Sequence, residues 1–434
     1  MIPPLLIIRA LVVWGALAPA LAGAVPAPVP VAAPASAASV PGVPAARATS
    51  APARTAAIPA ELPAVPNVGP APAELPASLK GGPVPAVSVP VTVPASVPVP
   101  RTPLALNPTE IVGDRTLTQD TVWKGELLVE GVVVVAPQTT LTVAPGAVIR
   151  FRRSNGKLPL IMVQGRLVVQ GSHEQPVLFG SPFVEPAPGD WQGILLLGTD
   201  KKNTLEHCRI EGAEAALEVL FSTLTLKDVT AAKSGTGLKL QDALLAMDGG
   251  GATGCGTGVD LYNSEVNLTG VAGTGNARGL QARTSSLYLQ KGSFTGNGTA
   301  LNADASRVKV QGGEFRENGA GIALAGGEGI VTGAAISRNG RYGLSLNQAR
   351  VRVTGNEIVG NRDAGIMVED GAAVAWSNAI SDNGGCDIAN LGTEEFRAPG
   401  NWYGGSTPKI CENKGRGTVA VAPVLAVKPK AVDN

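Results

Sequence analysis

FRENGAGIAL, residues 315–324, decides the fold because the same phrase returns at fixed distances along the chain. Phe294, Phe315, Ile336, Ile358 and Ile380 stand 21, 21, 22 and 22 residues apart, and three positions after each comes Asn297, Asn318, Asn339, Asn361 or Asn383. Continued backward in steps of 21, the Asn position is filled by Asn276, Cys255, Ser234 and Ala213. The apolar alternations Leu238/Leu240, Val259/Leu261, Leu280/Ala282, Ile322/Leu324, Leu344/Leu346 and Ile366/Val368 keep the same time. Nine units run from about Thr204 to Asn390.

A short fixed period calls for one supersecondary unit per repeat, stacked to bury a continuous core. Leucine-rich repeats share this length and an Asn or Cys ladder, but they need large apolar residues five before and two after the Asn. Those positions hold Gly292, Gly313, Ala334, Asn356 and Asn378 before, and Thr299, Ala320, Arg341, Asp363 and Gly385 after. The pattern fits instead an all-β solenoid, a single chain coiled as three short parallel strands per turn. The strands are expected around Val308-Lys309-Val310, Phe315 and Ile322-Ala323-Leu324, with Gly or Asn at corners that need positive φ. Each coil then rises by one interstrand spacing, roughly 4.8 Å. Asn276, Asn297, Asn318, Asn339, Asn361 and Asn383 become a structural ladder. Each is expected to adopt the left-handed conformation and to exchange amide hydrogen bonds with its counterparts one coil above and below.

The sequence around these repeats resembles the right-handed parallel β-helix repeat proteins of the pectin-lyase-like superfamily, secreted bacterial type. The resemblance rests on LTVAPGAVIRF (141–151), IMVQGRLVVQGS (161–172), PVLF (176–179), GDWQGI (189–194), NWYGG (401–405) and VAVAPVL (419–425). It covers residues 108–427 and implies a fold that hosts unrelated activities. Enzymes of the superfamily act on polysaccharides from an outward strand face, and its hydrolases share Asn-Thr-Asp, Asp-Asp, Gly-His-Gly and Arg-Ile-Lys motifs. The first three are missing, and Arg209-Ile210-Glu211 carries an acid where the last needs Lys. No catalytic residue is therefore assigned.

The outward position between the third-strand apolar pair runs Glu218, Lys239, Asp260, Gln281, Asn302, Ala323, Ser345, Met367. Charges alternate in sign along this column, and two positions later in each coil Arg283 is expected to face Asp304. Such pairs are worth about 0–1 kcal/mol each. Read as a site, Lys239, Asp260, Tyr262, Arg283 and Asp304 form a shallow ligand-binding strip; read as scaffold, they are a solvated face. His173 and His207 are the only histidines and stand in no metal-ligand spacing, so neither metal nor cofactor is expected. Trp191, Trp402 and Tyr403 suit either sugar stacking or packing, of which packing is the expectation. Thr109–Val134 and Ala398–Val427 are expected to cap the ends. Cys386 and Cys411 bracket the C-terminal excursion and are expected to form a disulfide. Cys208 and Cys255 fall two coils apart, beyond bonding reach, and are expected as free thiols.

The first 22 residues, with Arg9, an apolar run and Ala20-Leu21-Ala22, read as a secretory signal, an uncleaved anchor being the alternative. Residues 23–107 are Pro, Ala and Val with six charged residues and no aromatic ring, the composition of a disordered stalk that favours extended polyproline stretches. Residues 428–434 are expected as a disordered tail. Lys and Arg number 35 against 34 Asp and Glu, so no basic field exists to hold nucleic acid. The expectation is an exported monomer, periplasmic, cell-surface or secreted. It would act as a non-catalytic envelope or extracellular scaffold that binds glycan or another surface component. The alternative is a polysaccharide lyase or glycoside hydrolase with a non-standard active site.

Overall fold

The computed structural model describes residues 101–413 and 417–430. The signal expected at 1–22, most of the stalk and the last four residues lie outside this range. Among the described residues every regular element is a β-strand, and every strand pairing is parallel. In the repeat that begins the sequence argument the three strands are Arg307–Gln311, Glu314–Arg316 and Ala320–Ala325, one on each wall. Strands of the third wall form a 14-stranded sheet; those of the first and second walls join in a 25-stranded one. The described residues form an all-β solenoid of about 15 turns.

Matched coil lengths put like on like. Phe294, Phe315, Ile336, Ile358 and Ile380 are successive partners on the second wall, and Leu280, Leu301, Ile322, Leu344, Ile366 and Ile388 on the third. Each of these side chains is buried, and together they make one continuous core down the axis. The rings of Phe294 and Phe315 stack with centroids 5.5 Å apart. A short coil has room for one or two mid-sized apolar side chains per wall, which suits Val, Leu and Ile alternating with outward polar residues.

The corners are built by a single residue in the left-handed region followed by a buried polar side chain. At the corner between second and third walls the positive φ belongs to Lys233, Gly254, Gly275, Gly296, Glu317, Arg338, Gly360 and Asp382. The sequence reading placed that conformation on the ladder Asn itself; the kink comes one residue earlier. The reason is geometric: the ladder Asn must aim inward, and Asn276, Asn297, Asn318, Asn339, Asn361 and Asn383 are all 2 % exposed or less. The Asn318 Nδ2 donates to Asn339 Oδ1 (3.1 Å) and to the Phe294 carbonyl (3.0 Å), while its Oδ1 accepts from both the backbone N–H and the Nδ2 of Asn297 (2.9 Å each). The Asn run is preceded in the same column by Ser234, whose Oγ accepts from the Ala213 N–H (3.1 Å), and by Cys255, whose N–H donates to Asn276 Oδ1 (2.8 Å).

Two further ladders escaped the sequence reading. Asn356, Asn378 and Asn401 repeat the same bonding at the corner between first and second walls. Ser264, Ser285 and Ser306 do so between third and first, each Oγ accepting the N–H one coil before. The serines keep the spacing of 21 and the asparagines stand 22 and 23 apart, so both were legible only as a similar spacing at another phase.

The ends differ from the expected caps. Residues 110–123 already form three strands, Glu110–Val112, Arg115–Leu117 and Thr121–Trp123, each paired with the next coil. The assumed N-terminal cap is thus the first coil itself. Residues 101–104, assigned to the stalk, dock on the flank. Val184 N donates to the Thr102 carbonyl (3.0 Å) and Leu104 N to that of Pro182 (2.8 Å). Arg101 binds the Asp190 carboxylate and lies 4.2 Å over the Phe183 ring. The hydrogen bond to Asp190 holds that guanidinium above its ordinary pKa. At the other end Lys428, assigned to the tail, pairs with Glu357 at 2.7 Å. Composition missed both segments because their partners lie 89 and 71 residues away in sequence.

Cys386 and Cys411 are joined by a disulfide with Cα atoms 5.9 Å apart, closing a separation of 25 residues. Loop closure of that length contributes about 3.5 kcal/mol in the chain-entropy relation. Cys411→Ser should therefore lower the stability of the last coil by about that amount. Hydrogen exchange should show faster exchange at 386–412 and unchanged exchange at 257–325; equal protection in both proteins would remove the argument.

Candidate functional site

The third wall carries the outward columns in which the sequence reading placed a strip. The Glu218, Lys239, Asp260 and Gln281 positions are in direct register, as are Gln241, Tyr262, Arg283 and Asp304. The Lys239 ammonium lies 2.8 Å from Glu218. Arg283, expected to meet Asp304, instead reaches diagonally one coil back and bonds Asp260 at 2.7 Å. The diagonal is open to it because a guanidinium on a three-carbon stem spans both the interstrand step and the two-residue offset, and the Asp260 side chain is less exposed than that of Arg283 (21 % against 44 %). Asp304 is left exposed with no ion pair among the described residues.

The strip borders a groove that the period did not show. Strand Trp191–Leu197 pairs with Ala213–Leu220 through a bulge: Gly193 faces Ala215, but Ile194 faces Leu217, leaving Ala216 over. Gly193 has φ +128°, and a Cβ there would sit 1.7 Å from the Ala215 carbonyl oxygen, so no other residue fits. A bulge bends the strand and breaks the flatness of the wall. The result is a groove of about 390 Å³ lined by Gln192, Gly193, Glu214, Glu218, Lys239 and Asp260. Lys239 and Asp260 thus line it, Arg283 joins it through Asp260, and Tyr262 and Asp304 stand outside its lining. Gln192, Gly193 and Glu214 were missed because the bulge lies where the repeat loses its regular spacing. The signal available was the Gly within GDWQGI.

The groove's chemistry is that of compensated charge. Two of its carboxylates are held by cations, and among the described residues no three His, Cys, Asp or Glu side chains are grouped to hold a metal ion. His207 sits at a corner with Nδ1 3.5 Å from Asp228, outside the groove. Trp191 is fully buried, its ring stacked 3.7 Å from that of Phe151 and its Nε1 donating to the Glu211 carbonyl (2.9 Å). Tyr403 is 1 % exposed, and burial pushes its phenol up to about 12. These two rings are core, while Trp402 is half-buried, 5.9 Å from the Lys428 ammonium. Cys208 and Cys255 are free and buried, and burial pushes both thiols up.

Parallel strands in register from coil to coil and internal ladders define a parallel β-solenoid. The chain is a right-handed parallel β-helix repeat protein. The family model described as a pectate-lyase like beta helix domain matches residues 113–225, and that described as a right handed beta helix region matches 257–401. No curated protein matches the chain in sequence. Among solved structures it is similar to the periplasmic alginate epimerase AlgG (13 % identity, 70 % of this chain and 78 % of the other, TM-score 0.36). It is also similar to the bacteriophage CBA120 tailspike protein 3 (12 %, 73 % and 56 %, 0.37) and to the A-module of the Azotobacter vinelandii mannuronan C-5 epimerase AlgE6 (13 %, 71 % and 92 %, 0.29). Likenesses of this size carry no argument about substrate.

Proposed function

We propose that the chain is an exported, non-catalytic β-helix scaffold that binds a glycan on its third wall, with Lys239, Asp260, Tyr262, Arg283 and Asp304 as the strip beside the groove. The observation that carries this reading is the pairing inside the groove. Glu218 is held by Lys239 and Asp260 by Arg283, so these carboxylates present fixed polar edges rather than a free acid and base. Hydrolysis of a glycosidic bond uses two carboxyl groups, of which at least one must give up and take back a proton and the other must be free to attack or to activate water. Hydroxyl-rich ligands are instead held by fixed, shared donors and acceptors, and Tyr262, 48 % exposed, offers a ring face beside them. The alternative, a lyase or hydrolase, is favoured by Glu214, which lines the groove with no ion pair among the described residues.

The test is a glycan array followed by equilibrium titration of the best binder. Lys239→Ala combined with Asp260→Ala should weaken binding at least about tenfold, the equivalent of about 1.4 kcal/mol. Release of reducing ends or unsaturated uronate from any polysaccharide, abolished by Glu214→Gln, would overturn the proposal in favour of the enzyme.

A further inference from the structure

Five Asn-Gly dipeptides occur in the chain: Asn155-Gly156, Asn297-Gly298, Asn318-Gly319, Asn339-Gly340 and Asn383-Gly384. Asn before Gly is prone to lose its side-chain amide, because a glycine without Cβ lets its own backbone nitrogen swing onto the Asn side chain. The step needs only base and water. The Gly nitrogen gives its proton to hydroxide and attacks Asn Cγ, and the new C–N bond closes a cyclic imide while the side-chain nitrogen takes up a proton and leaves as ammonia. Water then opens either imide C–N bond, so that a negatively charged Asp or iso-Asp stands where the neutral amide was.

Four of the five dipeptides lie in the ladder column, and there both reacting groups are held. Gly298, Gly319, Gly340 and Gly384 donate their backbone N–H groups to carbonyls one coil before, those of Asn276 (2.9 Å), Asn297 (2.8 Å), Asn318 (2.7 Å) and Asn361 (2.8 Å). The Asn side chains they would attack are buried, each Oδ1 accepting from the coil before and each Nδ2 donating to a carbonyl. The nitrogen is thus turned toward the neighbouring coil and the amide that would leave is pinned in the core. Close stacking also forces the dipeptide on the fold. A Cβ at Gly298, Gly319 or Gly384 would sit 2.4, 2.5 or 2.3 Å from a carbonyl oxygen of the preceding coil.

Asn155-Gly156 is placed in the opposite way. It is the tip of a turn closed by Lys157 N donating to the Ser154 carbonyl (2.9 Å), and both residues are exposed with φ of 50° and 76°. A Cβ at Gly156 would meet nothing within 4 Å. Among the described residues neither the Asn155 amide nor the Gly156 N–H has a hydrogen-bond partner.

We infer that Asn155 is the site at which the folded protein deamidates, and that the four ladder dipeptides are silent until their coil opens. Conversion after opening is an exit from the fold. An acid at position 318 loses the donor to the Phe294 carbonyl and Asn339 Oδ1 and aims a charged oxygen at both, inside a core where no cation compensates it. The iso-Asp product also adds a methylene to the backbone and upsets the match of coil lengths that sets register. Conversion at Asn155 only adds charge to an exposed turn beside the Lys157–Asp114 pair (3.3 Å) and leaves the core as it was. None of this depends on the glycan-binding reading.

The experiment holds the full chain at mildly alkaline pH, native and in urea, in water enriched with heavy oxygen. Each newly formed acid then carries label, and peptide mapping by mass spectrometry places it. In the native sample Asn155 should take up label at least about a hundredfold faster than Asn297, Asn318, Asn339 or Asn383, equivalent to about 2.8 kcal/mol of protection. In urea all five should label at similar rates. Asn318→Ala, which loosens the adjoining coils, should raise native labelling at Asn297 and Asn339 and leave Asn155 unchanged. The urea sample is finally refolded and its compact and unfolded pools are separated by size. Acid at the ladder positions should be confined to the pool that fails to refold, and acid at Asn155 should appear in both. Native labelling of the ladder as fast as that of Asn155, a native protein in which Asn155 stays unlabelled, or ladder acid shared equally between the two pools would overturn the inference.

Discussion

Asn318→Ala should lower the unfolding free energy by about 3 kcal/mol. The residue is 1 % exposed, and its Oδ1 is the acceptor for two donors, the backbone N–H and the Nδ2 of Asn297. Its own Nδ2 supplies the Phe294 carbonyl and Asn339 Oδ1. Removal strands donors in a core that water does not reach, at a cost of about 1–3 kcal/mol for each unsatisfied group. Because coils communicate only with their neighbours, faster hydrogen exchange should be confined to the coils around Asn297 and Asn339. Asn267→Ala, on an exposed outward position of the first wall, should change stability by less than about 0.5 kcal/mol. A urea midpoint for Asn318→Ala indistinguishable from that of Asn267→Ala would show that the ladder contributes nothing.

Trp191→Ala should cost about 3–5 kcal/mol, the range for removing a large aromatic side chain from a packed interior. The indole is fully buried, stacks on Phe151 and closes the wall beside the bulge, so its loss leaves a cavity where the coil cannot collapse. A sugar platform makes the opposite prediction. If Trp191 served as one, its removal would leave the thermal midpoint unchanged and abolish glycan binding. Measuring both quantities on one variant decides between the roles.

The limits of sequence reading in this protein have identifiable causes. Phe315 and its counterparts were readable because register in a solenoid follows from coil length, and coil length is counted along the chain. The Asn column was readable in position but not in conformation: spacing locates a corner, and the residue that takes positive φ is Glu317 or Gly296, one place ahead of the ladder. The ladder of Ser264, Ser285 and Ser306 kept the same period without an apolar phrase to draw attention to it. In the candidate site, Lys239 and Asp260 could be set on one outward column by counting. The bulge at Gly193 could not, because an extra residue shifts the count at the place where the groove forms.

By itself the sequence determined that between about Thr204 and Asn390 a single chain winds in coils of 21 or 22 residues with three strands each, which residues face inward there, and which stack in columns. These are consequences of a repeat that every coil states again, and the energy of matching apolar and amide groups in register is summed over the whole axis. Only the tertiary structure decided where side chains of different columns meet: Arg283 on Asp260 rather than Asp304, Arg101 on Asp190, and Lys428 on Glu357. Such contacts occur once, between residues far apart in the chain. They depend on the reach and direction of individual side chains, which no periodicity encodes.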